Sequence, residues 1–425
     1  MTEAFLHYLW QFQYFDKKDL ATSDGEALSI RTPGFYNTHA GPDFSQAKLT
    51  IGALEWVGSV EIHVKASEWT QHKHQQDQAY DTVVLHVVWK NDKDILRSDG
   101  TRIPTLELQH RVEEKLLLNY TKLVQQSAPI PCADSLHQVS SILKLSSLER
   151  ALTQRLETKA SSILATFKKN NNDWEETVYQ VLGRNFGFKV NSDAFQQLTE
   201  AIPYKTILKH ADKLHQVEAL LFGMAGLLDA SKEEYIILLR KEYALLSTKY
   251  SLAKKSLSKS QWRFLRLRPA NFPTLRLAQF ASLLSQHKHL FSQLIACESI
   301  QELRQLLSVT QSSYWQQHYQ IGKSSKKVIP SLGEEALTNI IINTVAPLLA
   351  AYSIHKDETL WMDRAVEFLS KLPAENNAIT REWASLQWKA SSAFDSQGLI
   401  ELKNNFCAKR LCLSCSIGAN LVRSL

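Results

Sequence analysis

Cysteine is scarce in this chain. Five among 425 residues are too few to staple a disulfide scaffold. No stretch reaches the roughly 18 apolar residues of a membrane span, so none is expected. The longest candidate, IINTVAPLLAAYS, reads as a buried helix, and Pro347 inside it predicts a kink or a boundary. The opening MTEAFLHYLWQFQYF is apolar but has neither a basic n-region nor a cleavage site. It reads as an amphipathic first helix, and a cytoplasmic location with reduced thiols follows as the expectation. A strict repeat is absent, which argues against a solenoid. There is no G-x-S-x-G elbow and no dinucleotide fingerprint. IGKSSKK near Gly322 lacks the upstream glycine and the preceding strand of a phosphate loop.

What is present is enough apolar sequence for two or three cores: 44% hydrophobic against 22% charged residues. The charge is uneven. Residues 1–118 hold 12 Lys/Arg and 17 Asp/Glu, and the remainder holds 37 and 26. An acidic part suited to cations joined to a basic part suited to polyanions is compatible with a nuclease.

The pattern changes near residue 110. Before it, ALSIR (27–31), AKLTIG (47–52), WVGSVEIHVK (56–65), TVVLHVVW (82–89) and TLELQ (105–109) read as strands separated by Gly, Pro and Asp turn signals. Between them ASEWTQHKHQQDQAYD suits a helix. From about residue 135, apolar residues recur three and four apart to the end. The fold class expected is α+β: an N-terminal mixed-sheet domain in the order αβββαβ (residues 1–118), followed by a larger all-α region (119–425).

The chemistry concentrates between Gly41 and Val88. Asp43 follows Pro42 at the start of one strand, and Glu61, His63 and Lys65 alternate along the next, so those three share one face. Two acids on adjacent strands can hold Mg²⁺ or Mn²⁺, and a neighbouring amine or imidazole can orient water or offset charge. Glu3 on the first helix is a possible third acid. His39, His63, His72, His74 and His86 crowd the same segment. His72 and His74 are not spaced as a helical zinc pair, and His72 is expected to be exposed. His86, flanked by valines, is expected to be a core histidine.

Pro42-Asp43 and Glu61-Ile62-His63, in that order of elements, resemble the PD-(D/E)XK nuclease superfamily over roughly residues 1–110. The resemblance implies Asp43 and Glu61 as metal ligands and a lysine assisting the water. His63 stands at the lysine position here, and Lys65 lies one pleat further on the same face. Gln76 and Tyr80 match a Gln-x3-Tyr spacing of RecB-type members. The whole chain is also similar to DUF2851, a bacterial family known mainly from Bacteroidetes. NTHAGPDFSQAKLTI, GSVEIHVKASEWTQHKH, YDTVVLHVV, FLRLRPANFPTLRLAQ and CAKRLCLSCSIG carry that similarity, which implies no particular activity.

Cys407, Cys412 and Cys415 form C-x4-C-x2-C, a spacing that suits Zn²⁺ or an iron–sulfur cluster. Cys132, in a loop, is the better fourth ligand; Cys297, in an apolar helical run, suits packing. The alternative is small thiols buried in a helix. KKSLSKSQWRFLRLRPANFPTLRL places Lys254, Lys255, Lys259, Arg263, Arg266, Arg268 and Arg276 among aromatics, a composition suited to nucleic-acid backbone and bases. At helical spacing, Arg263 and Arg266 share a face.

The leading expectation is therefore Mg²⁺-dependent hydrolysis of phosphodiesters in nucleic acid, with Asp43 and Glu61 on the metal and Lys65 or His63 beside the water. The alternatives are a non-catalytic binding module on the same fold, or a hydrolase of small phosphate esters with imidazole ligands.

Overall fold

Helix α1 (Glu3–Phe12) begins where the Thr2 hydroxyl accepts the Phe5 N–H at 3.3 Å, and it ends at Gln13, whose φ of 56° is left-handed. Its buried residues Phe5, Leu6, Tyr8, Leu9 and Trp10 form the apolar stripe read from the sequence. Glu3 and His7, four apart, leave that stripe together. The structure, a computed structural model, describes residues 1–228 and 231–424.

Strands β1 (Leu28–Thr32), β2 (Phe35–Tyr36), β3 (Phe44–Ile51), β4 (Leu54–Lys65), β5 (Val83–Lys90) and β6 (Thr105–Glu107) form one sheet. Its order is β1-β3-β4-β5-β6, with β2 added on β3. The first pairings are antiparallel, whereas β4–β5 and β5–β6 are parallel. The short α2 (Glu68–Gln71) lies on the crossover between β4 and β5. The strands follow the expected runs to within a few residues; β2 is additional. α3 (Glu114–Gln125) closes this series.

Near Asp43 the β3–β4 register slips between Phe44 and Ala47, and Gln46 takes a φ of 57°. This is a bulge, a device that re-aims the neighbouring side chain. Gly34 (φ 91°) is required beside it, because a Cβ there would lie 2.6 Å from Ser45 O and 3.1 Å from Ala47 N.

The chain divides into two compact units: Met1–Ser147 with Leu402–Leu425, and Leu148–Glu401. The break expected at residue 118 is not where the contacts separate, and the final segment belongs to the first unit. Its last helix is tied there by Tyr8 Oη, which donates to Ala419 O (3.2 Å), and by Asn119 Nδ2, which donates to Val422 O (3.1 Å). Periodicity cannot reveal such a return, because a helix looks the same whichever partner it packs on.

The second unit is helical apart from a two-stranded ribbon, β7 (His318–Gln320) and β8 (Lys323–Ser324). One large core runs through it, including Tyr179, Phe186, Phe195, Phe222, Phe280 and Trp315. The stretch Glu334–Lys356 is long and apolar enough to cross a membrane, but 72% of its most apolar window is buried within the protein, as expected of a core helix. At Pro347 the helix widens into a π turn at Ile341–Val345 rather than breaking. Proline withholds the N–H that would reach Asn343 O. Asn185 Nδ2 supplies that bond instead at 3.2 Å.

Candidate metal centre

Asp43 and Glu61 meet where β3 starts against the middle of β4. The Asp43 N–H donates to Glu61 Oε2 at 3.1 Å, and Asp43 Oδ2 accepts the Ile62 N–H at 3.0 Å. Glu61 is only 5% exposed, yet its surroundings are polar. Burial, and then the nearby Asp43 carboxylate, raise its pKa well above the ordinary carboxylate range. Glu3 is raised in the same direction, by burial first and by Asp43 second. His7 Nε2, from α1, stands 3.2 Å from Asp43 Oδ2.

Three imidazoles close the other side. Ring nitrogens of His63, His72 and His74 lie within 4.8 Å of one another. His63 Nε2 is 3.2 Å from His72 Nδ1 and 3.7 Å from Glu61 Oε1; His74 Nε2 is 3.4 Å from the same oxygen. Behind them, His63 Nδ1 and His86 Nε2 are 2.9 Å apart. If His63 Nε2 serves as a ligand, its proton sits on Nδ1 and is donated to His86, the usual support of a metal-bound histidine. Burial lowers the pKa of His63 to about 3 and also lowers those of His74 and His86, so all three rings are neutral near pH 7. Tyr80 stacks on His74 with ring centroids 3.9 Å apart, and burial followed by Glu61 pushes its phenol up to about 12.

The donor set fits a cation. His74 Nε2 and His7 Nε2 are buried without a hydrogen-bond partner among the described residues, and each faces one of the two carboxylates. A divalent ion between imidazoles and carboxylates would satisfy such atoms.

Several expectations are revised by this geometry. The segment after β4 is not one helix. It is α2, then short 3₁₀ turns at His74–Gln76 and Gln78–Thr82, with Lys73 left-handed between (φ 62°). That reversal lets His72 and His74 both turn toward His63. His72 is exposed, as expected, and still reaches the cluster. His86 is in the core, as expected, but supports His63 rather than only packing. Gln76 is exposed, and Tyr80 alone of that pair joins the site. Lys65 is not brought in. It is exposed at the end of β4, its N–H donates to Glu68 Oε2 (3.0 Å), and its ammonium acts on Asp92. His39 is also exposed, its N–H held by Asn37 Oδ1 at 2.9 Å. His7 was missed; its spacing of four from Glu3 was the available signal.

The basic segment is not helical where a shared arginine face was expected. Lys254, Lys255, Lys259, Arg263, Arg266 and Arg268 lie exposed on 3₁₀ turns and irregular backbone, with Arg266 left-handed (φ 62°). Trp262 turns inward and donates to Ala225 O at 2.7 Å, so it offers no face to a base. Arg276 is buried against Asn271 and Gln279. Arg263 lines a cleft of about 480 Å³ with Lys189, Gln197 and Gln261.

The chain belongs to the DUF2851 family. Its family model, described as a protein of unknown function, matches residues 3–378. Asp43, Glu61 and the imidazole cluster lie inside that span; Cys407, Cys412 and Cys415 lie beyond it. No curated protein and no solved structure matches the chain.

Proposed function

We propose that this DUF2851 protein hydrolyses phosphodiester bonds of nucleic acid, using a divalent cation held by Asp43, Glu61 and the imidazoles of His63, His72 and His74. The observation that carries this reading is the paired carboxylates bracketed by two buried imidazole nitrogens, 3.2 and 3.4 Å from their oxygens, that make no hydrogen bond. The order of α1 and the strands up to β5 supports it further, as similar to the element order for which the N-terminal part resembles PD-(D/E)XK nucleases. Three imidazoles beside two carboxylates suit Mn²⁺ or Zn²⁺ better than Mg²⁺, which prefers oxygen ligands and its own waters. The bound ion would polarise a phosphoryl oxygen and acidify a water. Around it, His86 fixes the tautomer of His63, His7 orients Asp43, and Tyr80 shields His74. The exposed cations of the second unit would contribute contacts to the phosphate backbone.

A second reading, hydrolysis of a small phosphate ester, is favoured by how deeply Glu61 and His63 sit, at 5% and 1% exposed. One experiment addresses both. The purified protein is incubated with Mn²⁺, Zn²⁺ or Mg²⁺ and single- or double-stranded DNA, RNA, or bis(p-nitrophenyl) phosphate. Asp43→Asn and Glu61→Gln should each cut more slowly by about 10²–10³-fold. Cleavage of the small ester alone selects the second reading. No cleavage of any substrate, or an unaltered rate in both variants, eliminates hydrolysis at this site.

A further inference from the structure

Four of the five cysteines lie near enough to act on one another electrostatically, although one of them is far from the others in sequence. Cys407 ends a π turn (Leu402–Cys407), Cys412 starts a 3₁₀ turn, and Cys415 follows it. Arg410, left-handed at φ 55°, reverses the chain between the first two, while the Arg410 N–H donates to Cys407 O at 3.1 Å. Cys415 N donates to Cys412 O at 3.3 Å. Gly418 lets the next helix lie against this knuckle, since a Cβ there would come within 2.2 Å of Cys412 O. Cys132, in the loop before the 3₁₀ segment Ala133–Gln138, completes the set. Its thiol acts electrostatically on Cys407 and feels Cys412 and Cys415 in turn.

We propose that Cys132, Cys407, Cys412 and Cys415 hold a thiolate-ligated metal centre separate from the imidazole–carboxylate site. Cys132, Cys407 and Cys412 are buried, and none of the five cysteines forms a disulfide. Burial first, and the neighbouring thiols after it, raise the pKa of Cys132 to about 12 and of Cys412 to about 11, and raise Cys407 in the same direction, while Lys144, Lys403 and Arg410 act the opposite way as the lesser effect. Among the described residues no three thiol sulfurs lie mutually within 4.8 Å, the spacing the imidazoles meet. Zinc and an iron–sulfur cluster are both thiolate chemistry, and metal and sulfide content distinguish them.

The test uses the full chain, purified with and without oxygen. Elemental analysis should find about one zinc per chain, or iron with matching acid-labile sulfide and visible absorption. Cys132→Ser and Cys412→Ser should lose that metal. Cys297→Ser and Glu61→Gln should keep it, which separates this centre from the proposed hydrolytic site. Should the serine variants misfold, titrating the wild-type thiols with a mercurial should release the metal in proportion to the thiols blocked. Metal absent from both preparations, metal unchanged in Cys132→Ser, or metal that stays bound as the thiols are blocked overturns the proposal.

Discussion

Asp43 and Glu61 grip each other through the backbone: the Asp43 amide donates to Glu61 Oε2 at 3.1 Å, while Asp43 Oδ2 accepts the amide of Ile62 at 3.0 Å. Two acids so clasped repel one another when both are ionised, and a cation relieves that repulsion. Mn²⁺ added to metal-free protein should therefore raise the Tm, with a stabilisation of about 2.7 kcal/mol at a hundredfold excess over Kd. Glu61→Gln and His74→Ala should shrink the shift, and Lys65→Ala should leave it intact. Scanning fluorimetry reads the difference; an undiminished shift in Glu61→Gln contradicts the assignment.

His86 touches the proposed ligand set only through His63 Nδ1, 2.9 Å away. Removing it frees the His63 ring to rotate and to change tautomer. His86→Phe should weaken Mn²⁺ binding by about 10–100-fold while keeping the core filled. Calorimetric titration measures it, and an unchanged Kd excludes a supporting role.

The exposed cations of the second unit should act on nucleic acid through charge alone. Replacing Arg266 and Arg268 by Gln should reduce the slope of log Kobs against log salt by up to about 1.8 for duplex DNA, about 0.9 per phosphate contact. Both side chains are exposed, so Tm should not change. Binding isotherms at several salt concentrations check this; an unaltered slope removes these residues from the interface.

Glu218 predicts a pH dependence of stability. It is buried in the second unit, where Tyr235 Oη and Trp315 Nε1 donate to its Oε2, and burial lifts its pKa from 4.5 to about 7. The folded protein thus binds this proton more tightly than the unfolded chain. The stabilisation is complete below pH 4.5 and is lost as pH rises toward 7, amounting to about 3 kcal/mol. Glu218→Gln should flatten that slope relative to wild type. Urea unfolding of both proteins at pH 5 and pH 8 tests it; parallel losses in the two would refute it.

Much of this was legible residue by residue. The alternation of Glu61 and His63, the strand runs around them and the apolar stripe of α1 are local patterns with fixed periods, and the structure keeps them. The helical fate of the segment after β4 was misread, because a left-handed Lys73 has no mark in composition. That single backbone angle brings His72, still exposed, and His74 beside His63. Lys65 went the other way: one more pleat on the same face carries it about 6–7 Å along the strand, to the exposed end.

Local periodicity in the chain marked the first helix, the longer strands of the N-terminal sheet and the shared face of Glu61 and His63, since each depends on neighbours a few positions away. Which distant groups meet was decided by folding in three dimensions. His7 reaches Asp43, and Cys132 joins cysteines some 280 residues later, because burying apolar faces against one sheet brings remote segments together, and chain separation places almost no limit on such contacts.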